Sequence, residues 1–312
     1  MVAGHVRGVL GVVGLIVCLA VGGAIPLVAQ EAAAPTRYVD VSPSVVMAEN
    51  QWGSNSVCVA LPEGLVFVDT GLSTEAAARF REAMEKRFAR ETMVLVLTHG
   101  HLDHLLGMAA FVDVPVLAAE TGRDLFGQQL GIEWTDKAVD VYAGIFPGFR
   151  ESLATARPFL PGLWFGSEMS IGNGEERLEI RNTGGHSSCS SVLWFPAEGV
   201  VIAGDLLQVD RYPYFGDPTT DLGAWIETLE SWERPEVKAL CPGHGPLVTG
   251  DYVAPVRRYF QAVVETVGRL KKDGVPLEEV VAHPDLPPGY WPADLPAPGW
   301  WPYCIAGLYQ RL

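Results

Sequence analysis

With 312 residues, 48% of them hydrophobic and 19% charged, the chain is too apolar to be disordered. It is long enough to bury a large core as one big domain or two smaller ones. A formal charge of −15 without a basic run argues against DNA or RNA as a partner, because Lys and Arg contacts to phosphate dominate nucleic-acid affinity.

The chain opens on a separate unit, residues 1–30. Arg7 is the single charged side chain in positions 1–29 and precedes the apolar run "GVLGVVGLIVCLAVGGAIPLVA". A short basic start, an apolar core and small residues before "AQEAAAP" have the layout of a signal for export to the periplasm or the medium. The alternative is a membrane anchor formed by residues 8–29, a run long enough to span a bilayer. A lipoprotein site at Cys18 is disfavoured by bulky Val17 in "LIVC". The other cysteines, Cys58, Cys189, Cys241 and Cys304, form no C-x-x-C pair, and a core this size needs no covalent staple, so they read as buried free thiols.

"YVDVSPSVVMAEN", "NSVCVALPEG" and "LVFVDTG" then read as short strands, with "LPEGL" a hairpin connection. "STEAAARFREAMEKRFARE" reads as a helix capped by Ser73, with Glu75 in its first turn. "TMVLVL" is an apolar run suited to a strand buried on both faces. Residues 120–165, rich in Gly, Pro and aromatics, suggest long loops or a partly helical insertion. "ERLEIRNTGG", "SVLWFPAEG" and "VVIAGDLL" are strand-like, "DLGAWIETLESWERP" is an amphipathic helix and "VKALCPG" a strand. "APVRRYFQAVVETVGRLKKDG" is a long helix ended by Gly274. This organisation gives a main domain over residues 38–275 and a proline-rich C-terminal extension, 276–312, packed on it. Strands leading helices in each half imply a layered α/β or α+β domain.

Four apolar strands end in metal-capable side chains. "VLVLTHGHLDH" delivers His99, His101, Asp103 and His104; "IRNTGGHSS" delivers His186, "VVIAGDLL" Asp205 and "KALCPGHG" His244. Side chains at i and i+2 of extended backbone point the same way, so His99 and His101 can grip one ion. A helix starting near Asp103 would turn Asp103 and His104 toward a second ion. Imidazole with bridging carboxylate suits zinc, and also manganese or iron. Ser187, Ser188 and Cys189 have no separate histidine and acid partner, and read as turn and strand residues. "DPTTD" at 217–221 reads as a helix start.

With these motifs in this order, the sequence resembles the metallo-β-lactamase fold superfamily over roughly residues 40 to 250. The resemblance implies an α+β, four-layer αββα sandwich of two mixed sheets, with two Zn²⁺ (or Mn²⁺ or Fe²⁺) at one edge. It implies that His99, His101 and His186 hold the first metal, that Asp103, His104 and His244 hold the second, and that Asp205 bridges them. Asp69 in "VDTG" matches the family's aspartate behind the ligands. Trp52, Tyr212 and Tyr214 are candidates for lining a substrate pocket.

The implied reaction is hydrolysis by a metal-bridging hydroxide, with Asp103 as proton shuttle and Asp205 as the second catalytic carboxylate. Aspartate at 205, where true β-lactamases usually carry cysteine or serine, is closer to the hydroxyacylglutathione hydrolase and lactonase type. That directs the expectation to an ester, thioester, lactone or amide of a small molecule. The alternatives are an oxidoreductase with one iron, like the persulfide dioxygenases, and β-lactamase-type activity. A non-catalytic scaffold would show a broken ligand set, and every ligand position is filled here.

Overall fold

A computed structural model of the chain describes residues 36–49, 53–146 and 148–312. The N-terminal unit read as a signal or anchor therefore lies outside the described residues, as do Cys18 and Trp52. Among the described residues, no helix is long and apolar enough to cross a membrane.

The first sheet has seven strands in sequence order: β1 (Arg37–Ser42), β2 (Val45–Glu49), β3 (Ser56–Leu61), β4 (Gly64–Val68), β5 (Thr92–Val96), β6 (Val116–Ala119) and β7 (Leu163–Phe165). β1 to β4 form an antiparallel meander, whereas β4 to β7 pair in parallel. The stretch read as "YVDVSPSVVMAEN" is thus two strands, because Pro43 and Ser44 form the turn between β1 and β2. The second sheet runs β12–β11–β10–β9–β8. Its members are β8 (Glu168–Ile171), β9 (Leu178–Asn182), β10 (Ser191–Phe195), β11 (Val200–Gln208) and β12 (Ala239–His244). Only the β11–β12 pair is parallel in this sheet.

Alternation along β10 and β11 defines the layers. Leu193, Phe195, Val200 and Ile202 join a cluster with Val66, Phe67 and Leu95 of the first sheet, which is the core between the sheets. Their neighbours Val192, Val201 and Ala203 join a second cluster with helical residues on the outer face. That face is covered by α6 (Leu222–Ser231) and α7 (Val253–Lys272), numbering helices in chain order. The first sheet is covered by α1 (Thr74–Phe88), whose Ala76, Ala77, Phe80 and Met84 are buried. The Ser73 hydroxyl accepts from the amide of Ala76 at 3.2 Å, which is the expected N-cap. Helix, sheet, sheet and helix stack in that order, an α+β sandwich of two mixed sheets.

Three further features depart from plain sequence patterning. Short α2 (Leu102–Leu105) follows β5 almost at once. The stretch 120–165 holds α3 (Arg123–Leu130), α4 (Asp136–Ile145) and α5 (Phe149–Thr155), so it is a partly helical insertion. Beyond Gly274, which ends α7 with φ 78°, come α8 (Leu277–Val280) and α9 (Trp301–Arg311). Cys304, Ile305 and Leu308 of α9 are buried in the second cluster. Cys58, Cys189, Cys241 and Cys304 are free and buried.

Candidate metal centre

Strand ends meet at one edge of the sandwich. Parallel pairing of β4 and β5 brings Asp69, just past β4, beside the end of β5, where its amide donates to the Val96 carbonyl at 2.9 Å. Asp69 has φ 55°, which turns its carboxylate back toward Thr98 and His104. The two sheets are stitched here by Ser191 N–H to Thr98 O at 2.9 Å and Asn55 N–H to Gly243 O at 2.7 Å. Two glycines permit the close approach. A Cβ on Gly204 would lie 2.8 Å from Thr98 Oγ1, and one on Gly243 would lie 2.0 Å from Asp205 Oδ1.

All seven candidate ligand residues converge. His99, His101, His186 and Asp205 form one group and Asp103, His104 and His244 another, each with ligand atoms within 4.8 Å of one another. His101 Nδ1 lies 3.1 Å from His99 Nε2 and 3.0 Å from His186 Nε2. In the second group His244 Nε2 is 3.1 Å from Asp103 Oδ2. Asp205 stands between the groups. Its Oδ2 is 3.6 Å from His186 Nε2, and its Oδ1 is 3.1 Å from His104 Nε2 and 3.4 Å from His244 Nε2.

Outer hydrogen bonds assign the histidine tautomers. Thr98 Oγ1 donates to Asp69 Oδ2 at 2.7 Å, so it accepts from His99 Nδ1 at 3.0 Å. His101 Nε2 donates to Asp217 Oδ2 at 3.0 Å, and His186 Nδ1 to the Tyr214 carbonyl at 2.8 Å. His104 Nδ1 donates to Asp69 Oδ2 at 2.8 Å. With those protons placed, the nitrogens of His99, His101 and His186 that face each other carry lone pairs alone.

Lone pairs of His99 and His186 that stand 3.1 and 3.0 Å from that of His101 cannot hydrogen-bond to it, but the three suit a cation shared between them. With the His104 proton on Nδ1, buried His104 Nε2 and Asp205 Oδ1 face each other at 3.1 Å and make no hydrogen bond among the described residues. The donor set of imidazoles and carboxylates therefore fits transition-metal binding.

Electrostatics divide the cluster. Burial depresses the His186 imidazole to about 4, which keeps it neutral. Burial also opposes protonation of His101, His104 and His244, but facing carboxylates outweigh it and raise them above the ordinary imidazole range, so that a cation bound there would compete with protons. Burial pushes the Asp103 carboxyl up, but facing His104 and His244 outweigh this and hold it at about 2. Burial also opposes ionisation of Asp217, and the hydrogen bond from His101 outweighs it, holding that carboxyl well below its ordinary range.

The sequence profile of the metallo-beta-lactamase superfamily matches residues 50–244, more than half of the chain and every one of these seven positions. The chain belongs to the metallo-beta-lactamase superfamily. Its described residues include two largely buried His/Asp groups that could each hold a metal ion.

Similar proteins include the linear primary-alkylsulfatase of Pseudomonas sp. (strain ATCC 19151), 25% identical over 271 residues that cover 75% of this chain and 51% of the relative. The human acyl-coenzyme A thioesterase MBLAC2 is 26% identical over 193 residues, covering 57% of this chain and 68% of the thioesterase. The chain thus spans about half the length of the alkylsulfatase it matches. Among solved structures, the metallo-beta-lactamase from Pontibacter korlensis has a TM-score of 0.57 at 20% identity, covering 73% of this chain and 99% of that one. The sec-alkylsulfatase Pisa1 from Pseudomonas sp. has a TM-score of 0.64 at 17% identity, covering 88% of this chain and 50% of that one. Both show the superfamily fold.

Other candidate residues of this superfamily member fall in different places. The ring of Tyr214 lies 6.0 Å from those of His101 and His186, at the metal cluster. The ring of Tyr212 packs on Trp291 at 4.2 Å and Trp301 at 5.0 Å, in the C-terminal extension. Sequence reasoning missed Asp217. In "DPTTD", Asp221 is indeed the N-cap of α6, accepting from Ala224 N at 3.0 Å. Asp217 instead accepts from the Thr219 amide with Oδ1 at 2.8 Å and turns Oδ2 to His101. The carboxylate just before Pro218 was the available signal.

Proposed function

We propose that the chain is an exported hydrolase with two zinc ions, cleaving an ester, thioester, lactone or amide bond of a small molecule. The observation that carries this reading is the position of Asp205, one oxygen toward each ligand group. A one-iron centre would leave the buried set Asp103, His104 and His244 without a cation, which favours the dinuclear reading. Manganese or iron in place of zinc would satisfy the same donors. The names of the relatives, an alkylsulfatase and an acyl-coenzyme A thioesterase, support the ester and thioester side of the range. Export rests on the apolar stretch after Arg7.

Bound zinc would supply a water with a pKa of about 7 and Lewis-acid polarisation of the substrate oxygen. The chain's own residues do the rest. Asp69 and Asp217 fix the ring orientation of His104 and His101 through hydrogen bonds to their outer nitrogens. Asp103, ionised and 6% exposed, is placed to take a proton from an attacking water and pass it to the leaving group. Ser187 is fully buried and bonded to Ser190 at 3.1 Å, so it serves the turn and not as a nucleophile.

The test is metal quantification on the purified protein, followed by a screen of lactone, thioester, carboxylic ester, sulfate ester, phosphodiester and β-lactam substrates. Two zinc ions per chain and turnover of an ester, thioester or lactone are expected. One iron per chain, or turnover confined to phosphodiesters or sulfate esters, would overturn the reading, and turnover confined to β-lactams would replace it by the β-lactamase alternative.

A further inference from the structure

Residues 209–217 follow β11 without regular secondary structure, yet they make two contacts to the histidine group. The Tyr214 carbonyl accepts from His186, and the Asp217 carboxylate accepts from His101. Its start is tied by the Val209 amide to the His244 carbonyl at 2.9 Å, and the Tyr214 amide donates to Gln208 Oε1 at 3.3 Å, so holding Phe215 to Asp217 in place calls for further anchors.

Helix α9 supplies them from the far side of the loop. Arg311, in its last turn, donates from Nη2 to the Phe215 carbonyl at 3.1 Å and from Nη1 to the Asp217 carbonyl at 3.4 Å. The Tyr303 ring lies against Gly216, where a Cβ would stand 2.7 Å from it. Trp301 packs edge-on against Phe215 at 5.4 Å, and Trp300, just before the helix, against Tyr214 at 5.4 Å. Cys304, Ile305 and Leu308 seat the helix in the outer core, whereas Arg311 reaches backbone carbonyls of the loop.

We propose that α9, through Arg311, is a positioning element of the metal centre. By fixing Phe215 and Asp217 it holds the Tyr214 carbonyl and Asp217 carboxylate at the distances that aim His186 and His101. The planar guanidinium suits the task, since two of its N–H groups reach two carbonyls two residues apart. A lysine ammonium at that site can satisfy one of them. The inference rests on the proposed function only in taking His101 and His186 as metal ligands.

The test is zinc affinity of the full chain, measured by competition with a chromogenic chelator, beside the melting temperature of each metal-free variant. Arg311→Ala is expected to weaken zinc binding about 10-fold or more, the range for loss of a contact that orients a ligand, and Arg311→Lys to recover part of it. Tyr309→Phe removes a different anchor of α9, the hydroxyl bond to Val275 O at 3.0 Å, which touches neither the loop nor the histidines. It is expected to lower the melting temperature while zinc affinity stays within about twofold of wild type. Arg311→Ala with wild-type zinc affinity would overturn the proposal, as would Tyr309→Phe weakening zinc as much as Arg311→Ala. Wild type that binds no zinc would sink the metal reading itself; a wild type that binds it while Arg311→Ala is unaffected sinks only this inference.

Discussion

Asp217 accepts a hydrogen bond from His101 across 3.0 Å of space and 116 positions of sequence. The contact fixes which imidazole nitrogen keeps its lone pair. Asp217→Ala is expected to weaken metal binding by about 10- to 100-fold, since ring and tautomer are then set by solvent. Isothermal titration or chelator competition reads this directly; an unchanged affinity would show that His101 is oriented by its ring contacts alone.

Asp205→Asn removes the negative charge that the two ligand groups share. Metal content is expected to fall from two ions to one or fewer per chain, and hydrolysis to fall with it. His99→Ala is expected to act on the first group in the same direction. Elemental analysis after dialysis decides the matter: two retained ions in Asp205→Asn would remove Asp205 from the bridging position.

Gly243→Ala tests the crowding at the end of β12. The new methyl would stand 2.0 Å from Asp205 Oδ1, so the carboxylate or the strand must shift. A destabilisation of roughly 1–3 kcal/mol is expected, as for other overpacked positions, together with reduced metal retention. Thermal unfolding with and without zinc separates the two effects.

The metal-free protein is expected to lose stability in acid. Asp103 titrates at about 2 in the fold against an ordinary value of 3.8. A depressed carboxyl stabilises the fold above its unfolded value, and that contribution disappears as pH falls from about 4 to about 2. Asp217, depressed in the same direction, adds to the decline. Melting temperatures of the apoprotein across that window should drop, and Asp103→Asn should drop less.

The ligand residues were legible because each lies on or just past an apolar strand: His99, His101, His186 and His244 sit at or beyond strand ends, whereas Asp205 sits within β11, which continues to Gln208. Asp69 was legible for the same reason, at the end of "LVFV". The role of Asp217 was not, since a carboxylate in a turn is indistinguishable from a helix start until its distant partner is known. The pairing of Tyr212 with Trp291 and Trp301 was hidden likewise, because nothing local says which aromatic faces the cluster. Helices α3 to α5 are 7–10 residues long, and α3 and α4 each contain a glycine, so they are too short to show a period. Strand β7, three residues at a sheet edge, carries almost no pattern of its own.

The hydrogen bonds that stitch Thr98 to Ser191 and Asn55 to Gly243 tie together two stretches of polypeptide that each own an incomplete cage. The earlier stretch brings His99, His101, Asp103 and His104; the later one brings His186, Asp205 and His244. Neither offers the full ligand set until the sandwich has closed, so an ion bound there would act as a bolt across the seam. Loading would then double as a quality check, which a misdocked chain would fail by staying empty.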